Sequence, residues 1–315
     1  MLRRWALLGC LPVLAVGGLA MGRAPSFNWF RASGAEATAD PLLEALLHDD
    51  QSEMAAKQKE RAQAQKAPPP QPRGFPVPRV PPAADSPNPL LRIALLSQTP
   101  IRTVTIEGPV SCRRVDGQPL ESHQLNPWLQ RGQDPWFCQA IDTGRIALNG
   151  RPYPGLIEFQ RQASGWSAVN VLDLETYVAS VVGAEMPSSW RSEALKAQAV
   201  AARSYALVHL VRPASQDYNL GDTTRWQAYA GLSSTTNPSR EATAATRGMV
   251  LSYRGGLVES LYAASSDISR EAHGHLGASM SQTGAQQLAT EGLRFNEILG
   301  RYYMGAALAR LRSDG

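Results

Sequence analysis

An α+β fold, with mixed and antiparallel strands flanking a central pair of helices in one domain, is predicted by three observations. Short apolar or alternating runs fill the stretch up to residue 173, two helical patterns then follow in direct succession, and β-like runs return before the final helices. Regular strand–helix–strand alternation is absent, and no internal repeat is visible.

The early strands are read at 91–96, 101–106, 146–148, 156–159 and 166–171. Leu174, Tyr177, Val178, Val181 and Val182 then recur at i, i+3, i+4, i+7 and i+8, one apolar helical stripe. The next position on that stripe is Glu185, just before Met186 and Pro187 stop the helix. Apolar neighbours and the negative helix C-terminus both disfavour a carboxylate, so its pKa should rise. A carboxylic acid kept protonated in this way is suited to general-acid chemistry.

The second helix is read from Ser188 or Ser189 as N-cap, with Glu193 in its first turn. Ala194, Ala197, Ala201, Tyr205 and Val208 form its packing face. Lys196 and Arg203 lie seven apart on another face, and Gln198 and Tyr205 repeat that spacing. Singly, each reads as a solvated or structural group; as a set they surround the turn that carries Glu185 and are read as substrate-binding residues. Strand signals resume at 228–231 and 249–253, and a hairpin turn at Arg254-Gly255-Gly256 leads into 257–263. Helices close the chain at 281–291 and 296–304.

The chain has 315 residues, 43% hydrophobic and 18% charged, enough for one sizeable core. A net charge of +4 without a basic–aromatic motif gives no reason to expect nucleic acid. Arg3 and Arg4 precede an apolar run over 5–20, as in an export signal, either cleaved or kept as a membrane anchor. Residues 1–22 are assigned to that segment, 23–89 to a disordered linker and 90–315 to the domain. Within the linker, 40–66 reads as a solvated helix. Residues 68–89 hold ten prolines, an extended stretch of roughly 70 Å at about 3.1 Å per residue. It serves either as a tether that reaches outward or as a spacer with no reach requirement.

Three cysteines bear on the compartment. Cys10 lies in the export segment, where Leu7-Leu8-Gly9-Cys10 faintly resembles a lipoprotein box behind too short an apolar stretch. Cys112 and Cys138 bracket an apparent insertion between strands. In an oxidising compartment a disulfide between them ranks first, free thiols second, and a metal site with His123 last.

The runs LDLETYV, VVGAEMP-x-x-W and EALKAQAVAARSYAL, joined without a gap, resemble the SpoIID (stage II sporulation protein D) family, whose relatives include proteins called amidase enhancers. The resemblance continues through GDTTRWQAYAG, ATRGMVLSYRG and the run from Met280 to Leu308, covering roughly residues 90–310. It implies a lytic transglycosylase acting on peptidoglycan glycan strands freed of stem peptides, exported to the periplasm or wall, with Glu185 as the family's catalytic acid. It also raises Asp222, Thr223, Thr224, Gln227 and Tyr229, and similarly Ser281 and Gln282, as sugar-binding residues. The bland alternative has Asp222 and Thr224 capping turns and Tyr229 in the core. His273-Gly274-His275 reads as a cleft edge rather than a metal site.

The chain also departs from the family pattern. Ala263 stands where most members carry His, and the segment that follows is shortened. No zinc and no other cofactor is therefore expected, and one wall of the cleft should be missing. A second functional reading stays open: a non-catalytic wall-binding module that recruits or stimulates a cell-wall amidase.

Overall fold

The computed structural model describes residues 76–268 and 279–312, which lie in one compact unit, Pro72–Gly315. The chain first forms Leu90–Ala94 (β1), Val104–Glu107 (β2), Val110–Arg114 (β3) and a short helix, Leu125–Arg131 (α1). Trp136–Ala140 (β4), Arg145–Leu148 (β5), Arg151–Tyr153 (β6), Leu156–Gln162 (β7) and Gly165–Asp173 (β8) follow. With the two-residue Leu220–Gly221 (β9), six of these strands build a sheet of order β3-β4-β7-β8-β1-β9, antiparallel except for the β1–β9 pair.

Period-two alternation sets its buried face. Trp136 and Cys138 on β4 lie opposite Phe159 and Ile157 on β7, and all four are buried. The Trp136 ring stacks on Phe159 at 3.9 Å and meets Trp166 edge-on at 6.4 Å. Cys112 on β3 pairs in register with Cys138 and is joined to it by a disulfide. That excludes the metal reading with His123. The enclosed excursion carries α1, a helix that the sequence reading missed. Strands β2, β5 and β6 form a second small sheet, and Asn149 and Gly150, both at positive φ, make the two-residue turn between β5 and β6.

Leu174–Glu185 (α2) follows β8 directly, capped by Asp173, which accepts the Thr176 N–H at 2.9 Å. The expected stripe from Leu174 to Val182 is fully buried. Ser192–Val211 (α3) is the central helix, packed by α2, by Asn237–Ala245 (α4), by Gln282–Thr290 (α5) and by Phe295–Tyr302 (α6). Ala199, Val200, Ala201 and Ala202 are all fully buried, so α3 is enclosed on every side rather than packed on one face. It begins later than expected. Ser188 and Ser189 lie in a turn closed by the Trp190 N–H on Pro187 O, and Arg191 is the N-cap, without a side-chain cap.

Met249–Tyr253 (β10) turns at Arg254-Gly255, both at positive φ, into Gly256–Leu257 (β11), as the hairpin signal indicated. The strand expected over 257–263 is divided. Leu261–Ala263 (β12) leaves that hairpin and runs parallel to Ser279–Ser281 (β13), while Ala307–Arg310 (β14) covers the other edge of β10. Residues 228–231 form no strand. Gly231, at a φ of 59°, packs against Pro152 and Tyr153 and starts a 3-10 turn.

The domain surface begins before the expected boundary at residue 90. Pro78 O accepts from Asn296 Nδ2 at 3.0 Å, Pro82 O from Arg310 Nε at 2.8 Å, and Ser86 lies against Gly248. Asn88 donates to Asp173 Oδ1 at 2.8 Å and accepts the Glu175 N–H at 3.0 Å. Residues 76–89 are thus a strap held on α6, β14 and the start of α2. The readings for 1–22, 40–66, Cys10, His273 and His275 fall outside the described residues.

Candidate active site

Glu185 ends α2 at the wall of a cavity of about 370 Å³. Its Oε1 accepts the Ala228 N–H at 2.9 Å and its Oε2 accepts Gln282 Nε2 at 3.0 Å. Burial raises its pKa above the usual carboxylate value, and the two donated hydrogen bonds offset only part of that rise. Among the described residues it is the only carboxyl group lining the cavity.

Each donor is placed by its own element. Gln282 opens α5, where Ser281 is the N-cap and accepts the Gly284 N–H at 3.0 Å. Ala228 is positioned through its neighbour Gln227, fully buried, whose Nε2 donates to the Tyr262 hydroxyl at 2.9 Å and to Ala202 O at 3.2 Å. The Tyr177 hydroxyl donates to Gln227 Oε1 at 3.1 Å. Burial pushes the Tyr177 and Tyr262 hydroxyls well above their ordinary pKa, so both stay protonated. The end of α2 is fixed by close approach: a Cβ on Gly183 would collide with Ser234 O, and Ser180 Oγ donates to Gly231 O at 2.8 Å.

Of the residues singled out in the sequence, Glu185, Tyr205, Thr224 and Gln282 line the cavity. Burial pushes the Tyr205 hydroxyl up to about 12, with Glu259 adding to it. Ser281 and Gln227 support the cavity from behind. The others are not cavity residues. Arg203 has no exposed surface and grips Glu175, with Nε on Oε1 at 2.9 Å and Nη2 on Oε2 at 2.7 Å. Lys196 is committed to Glu193 at 2.7 Å, whose other oxygen accepts the Phe295 N–H. Gln198 is fully buried, and its amide has no hydrogen-bond partner among the described residues.

Tyr229 follows the core alternative, whereas Asp222 neither lines the cavity nor caps its own turn. Asp222 is buried and accepts from both the backbone and the hydroxyl of Ser97, and burial raises its pKa against those bonds. Tyr229 lies in the core and donates to Asn170 Oδ1 at 2.6 Å.

Sequence reasoning missed Arg225, Trp226, Tyr262 and Ile268, which also line the cavity. Arg225 and Trp226 sit inside the same motif as Thr224, and their direct adjacency to it was the available signal. Ala263, noted for its departure from the family, is in the lining as well and pairs with Ser281 across β12 and β13. Among the described residues no cluster of three or more His, Cys, Asp or Glu is placed to hold a metal ion.

Part of the sequence that builds this cavity is similar to a recognised class of protein. Residues 162–253, from the end of β7 through β10, match the family model described as Stage II sporulation protein, and this segment belongs to the SpoIID family. An uncharacterized protein of Brachyspira hyodysenteriae is 36% identical over 120 residues, which cover 38% of this chain and 33% of that protein. The amidase enhancer of Bacillus subtilis is 35% identical over 125 residues, 39% of this chain and 17% of its own length. Stage II sporulation protein D of the same organism is 32% identical over 115 residues, 32% of this chain and 34% of its own. The shared stretch therefore spans about a third or less of each relative.

Proposed function

We propose that this protein acts on the bacterial cell wall as a lytic transglycosylase, cleaving peptide-free glycan strands between MurNAc and GlcNAc. The observation that carries this reading is that, among the described residues, Glu185 brings the only carboxyl group to the cavity. A hydrolytic glycosidase generally needs a second carboxyl, as base or nucleophile, across the scissile bond. A lone acid suffices when the sugar supplies its own nucleophile.

Protonated Glu185 gives its proton to the glycosidic oxygen, and GlcNAc leaves with a free hydroxyl. The C6 hydroxyl of the same MurNAc closes on C1, and the Glu185 carboxylate takes the proton released. The product is a 1,6-anhydro ring, no water is consumed, and the enzyme returns to its starting form. The environment of Glu185 serves both halves: burial favours the acid, and the Ala228 and Gln282 donors stabilise the carboxylate once formed. The disulfide is consistent with export to an oxidising compartment.

A second reading is a non-catalytic module that holds glycan and stimulates an amidase. It draws on the name of one relative and on Ala263 in the cavity lining. Mass spectrometry of peptide-free strands incubated with the protein separates the two. New 1,6-anhydroMurNAc ends support the enzyme. Reducing ends would mean hydrolysis, and glycan bound without cleavage would favour the module.

A further inference from the structure

We propose that Arg225 is the specificity-determining residue of this cavity and that it recognises a carboxylate on the glycan. The inference rests on the glycan reading above. Among the described residues lining the cavity Arg225 is the only cation, and it shares the wall with Glu185. Its guanidinium lies 5.0 Å from the centre of the Trp226 ring, an arrangement that holds the planar cation over an aromatic face without consuming its N–H donors. The side chain is exposed, and no carboxylate of the described residues pairs with it. That contrasts with Arg92, Arg114 and Arg203, each held by an acidic residue.

A guanidinium with no carboxylate partner among the described residues, in a sugar-sized cavity, fits an anionic ligand group bound through two parallel hydrogen bonds. The remaining polar lining is largely neutral: Thr224, Tyr205, Tyr262 and Gln282. Glu185 is the exception, and burial favours its neutral form. Of the groups on a MurNAc–GlcNAc strand, the lactyl side chain alone carries a carboxyl. In a peptide-bearing strand that carboxyl is tied up as an amide and has no charge; removal of the peptide exposes it. A single arginine at this position therefore favours strands whose lactyl carboxylate is free over strands in which that carboxyl is an amide and any charge lies further out along the peptide. Trp226 provides the flat support that keeps the guanidinium aimed.

The test measures binding rather than turnover. Full-length Glu185→Gln protein, with and without Arg225→Gln, is titrated with peptide-free strands whose lactyl carboxylates are either free or converted to methylamides. With Arg225 present, free-carboxylate strands should bind about tenfold tighter than amidated ones, and added salt should shrink that ratio. Arg225→Gln should erase the ratio with little change in the binding of amidated strands, and Arg225→Lys should restore part of it.

Equal binding of the two strands by the Arg225 protein overturns the proposal, as does a preference that survives Arg225→Gln. Failure of either strand to bind any of the proteins would instead sink the glycan reading, and the proposal with it. Thermal melts at the wild-type temperature confirm that the exposed position was changed without unfolding.

Discussion

The Glu175 carboxylate and the Arg203 guanidinium meet as a two-pronged pair, at 2.9 and 2.7 Å, inside the domain. Arg203 also donates to Met249 O at 3.1 Å and Thr243 O at 3.3 Å, and Gly248 N–H donates back to Glu175 Oε1 at 3.2 Å. One buried arginine thus ties together the start of α2, the middle of α3, the end of α4 and the entry to β10. Arg203→Met should lower stability by about 3–5 kcal/mol, because it strands a buried carboxylate. Glu175→Leu combined with Arg203→Met should cost distinctly less than Arg203→Met alone. Urea unfolding of the three proteins checks the order.

Glu185 should impose an alkaline limit on activity. In the proposed reaction the acid must be protonated, so cleavage should fall as pH rises through its elevated pKa. The same elevation has a stability consequence. An unfolded glutamate ionises near its ordinary value of about 4.3 while the folded one resists, so wild-type stability drops as pH rises from the ordinary value to the elevated one. The melting temperature of Glu185→Gln relative to wild type should therefore be higher at pH 7 than at pH 4. Its cleavage rate should fall by roughly 10²-fold or more.

Gly183→Ala should couple stability to activity. The added methyl meets Ser234 O, a backbone atom that cannot swing aside, so a loss of about 1–3 kcal/mol is expected. Because Glu185 lies two residues further on, kcat should fall even where the protein remains folded. Denaturant unfolding and strand cleavage measured on one preparation check both effects.

Reducing the Cys112–Cys138 bond, which closes a separation of 26 residues, should lower stability by roughly 3 kcal/mol. The Cys112→Ala and Cys138→Ala double variant should melt at the temperature of the reduced wild type and should show no further response to reductant. Calorimetry with and without a phosphine checks this.

The helices around the site were legible where periodicity speaks. The Leu174–Val182 stripe fixed both α2 and the position of Glu185, since one apolar face requires the next residue on it to meet the same interior. Boundaries set by tertiary contacts were not. Ser188 and Ser189 have cap chemistry, yet the Pro187–Trp190 turn uses that stretch and α3 starts beyond it. Arg203 looked like a ligand contact because its partner lies 28 residues earlier in the chain, a relation that spacing on a single helix cannot reveal. Helix α4 was missed although Thr236 and Ser239 form a capping box with Pro238 at its start. Tyr262 reaches the cavity through a parallel pairing of β12 with β13, and nothing local announces it.

The proline strap has a mechanical consequence. A pull on the chain ahead of residue 76 would be borne at Pro78 on α6, then at Pro82 beside Arg310, and last at Asn88 on the first turn of α2. These attachments lie in series, so the load would loosen the C-terminal elements before it reached the helix that ends in Glu185. Under such a load the contacts at Pro78 and Pro82 would part before the Asn88 bonds beside α2 were strained.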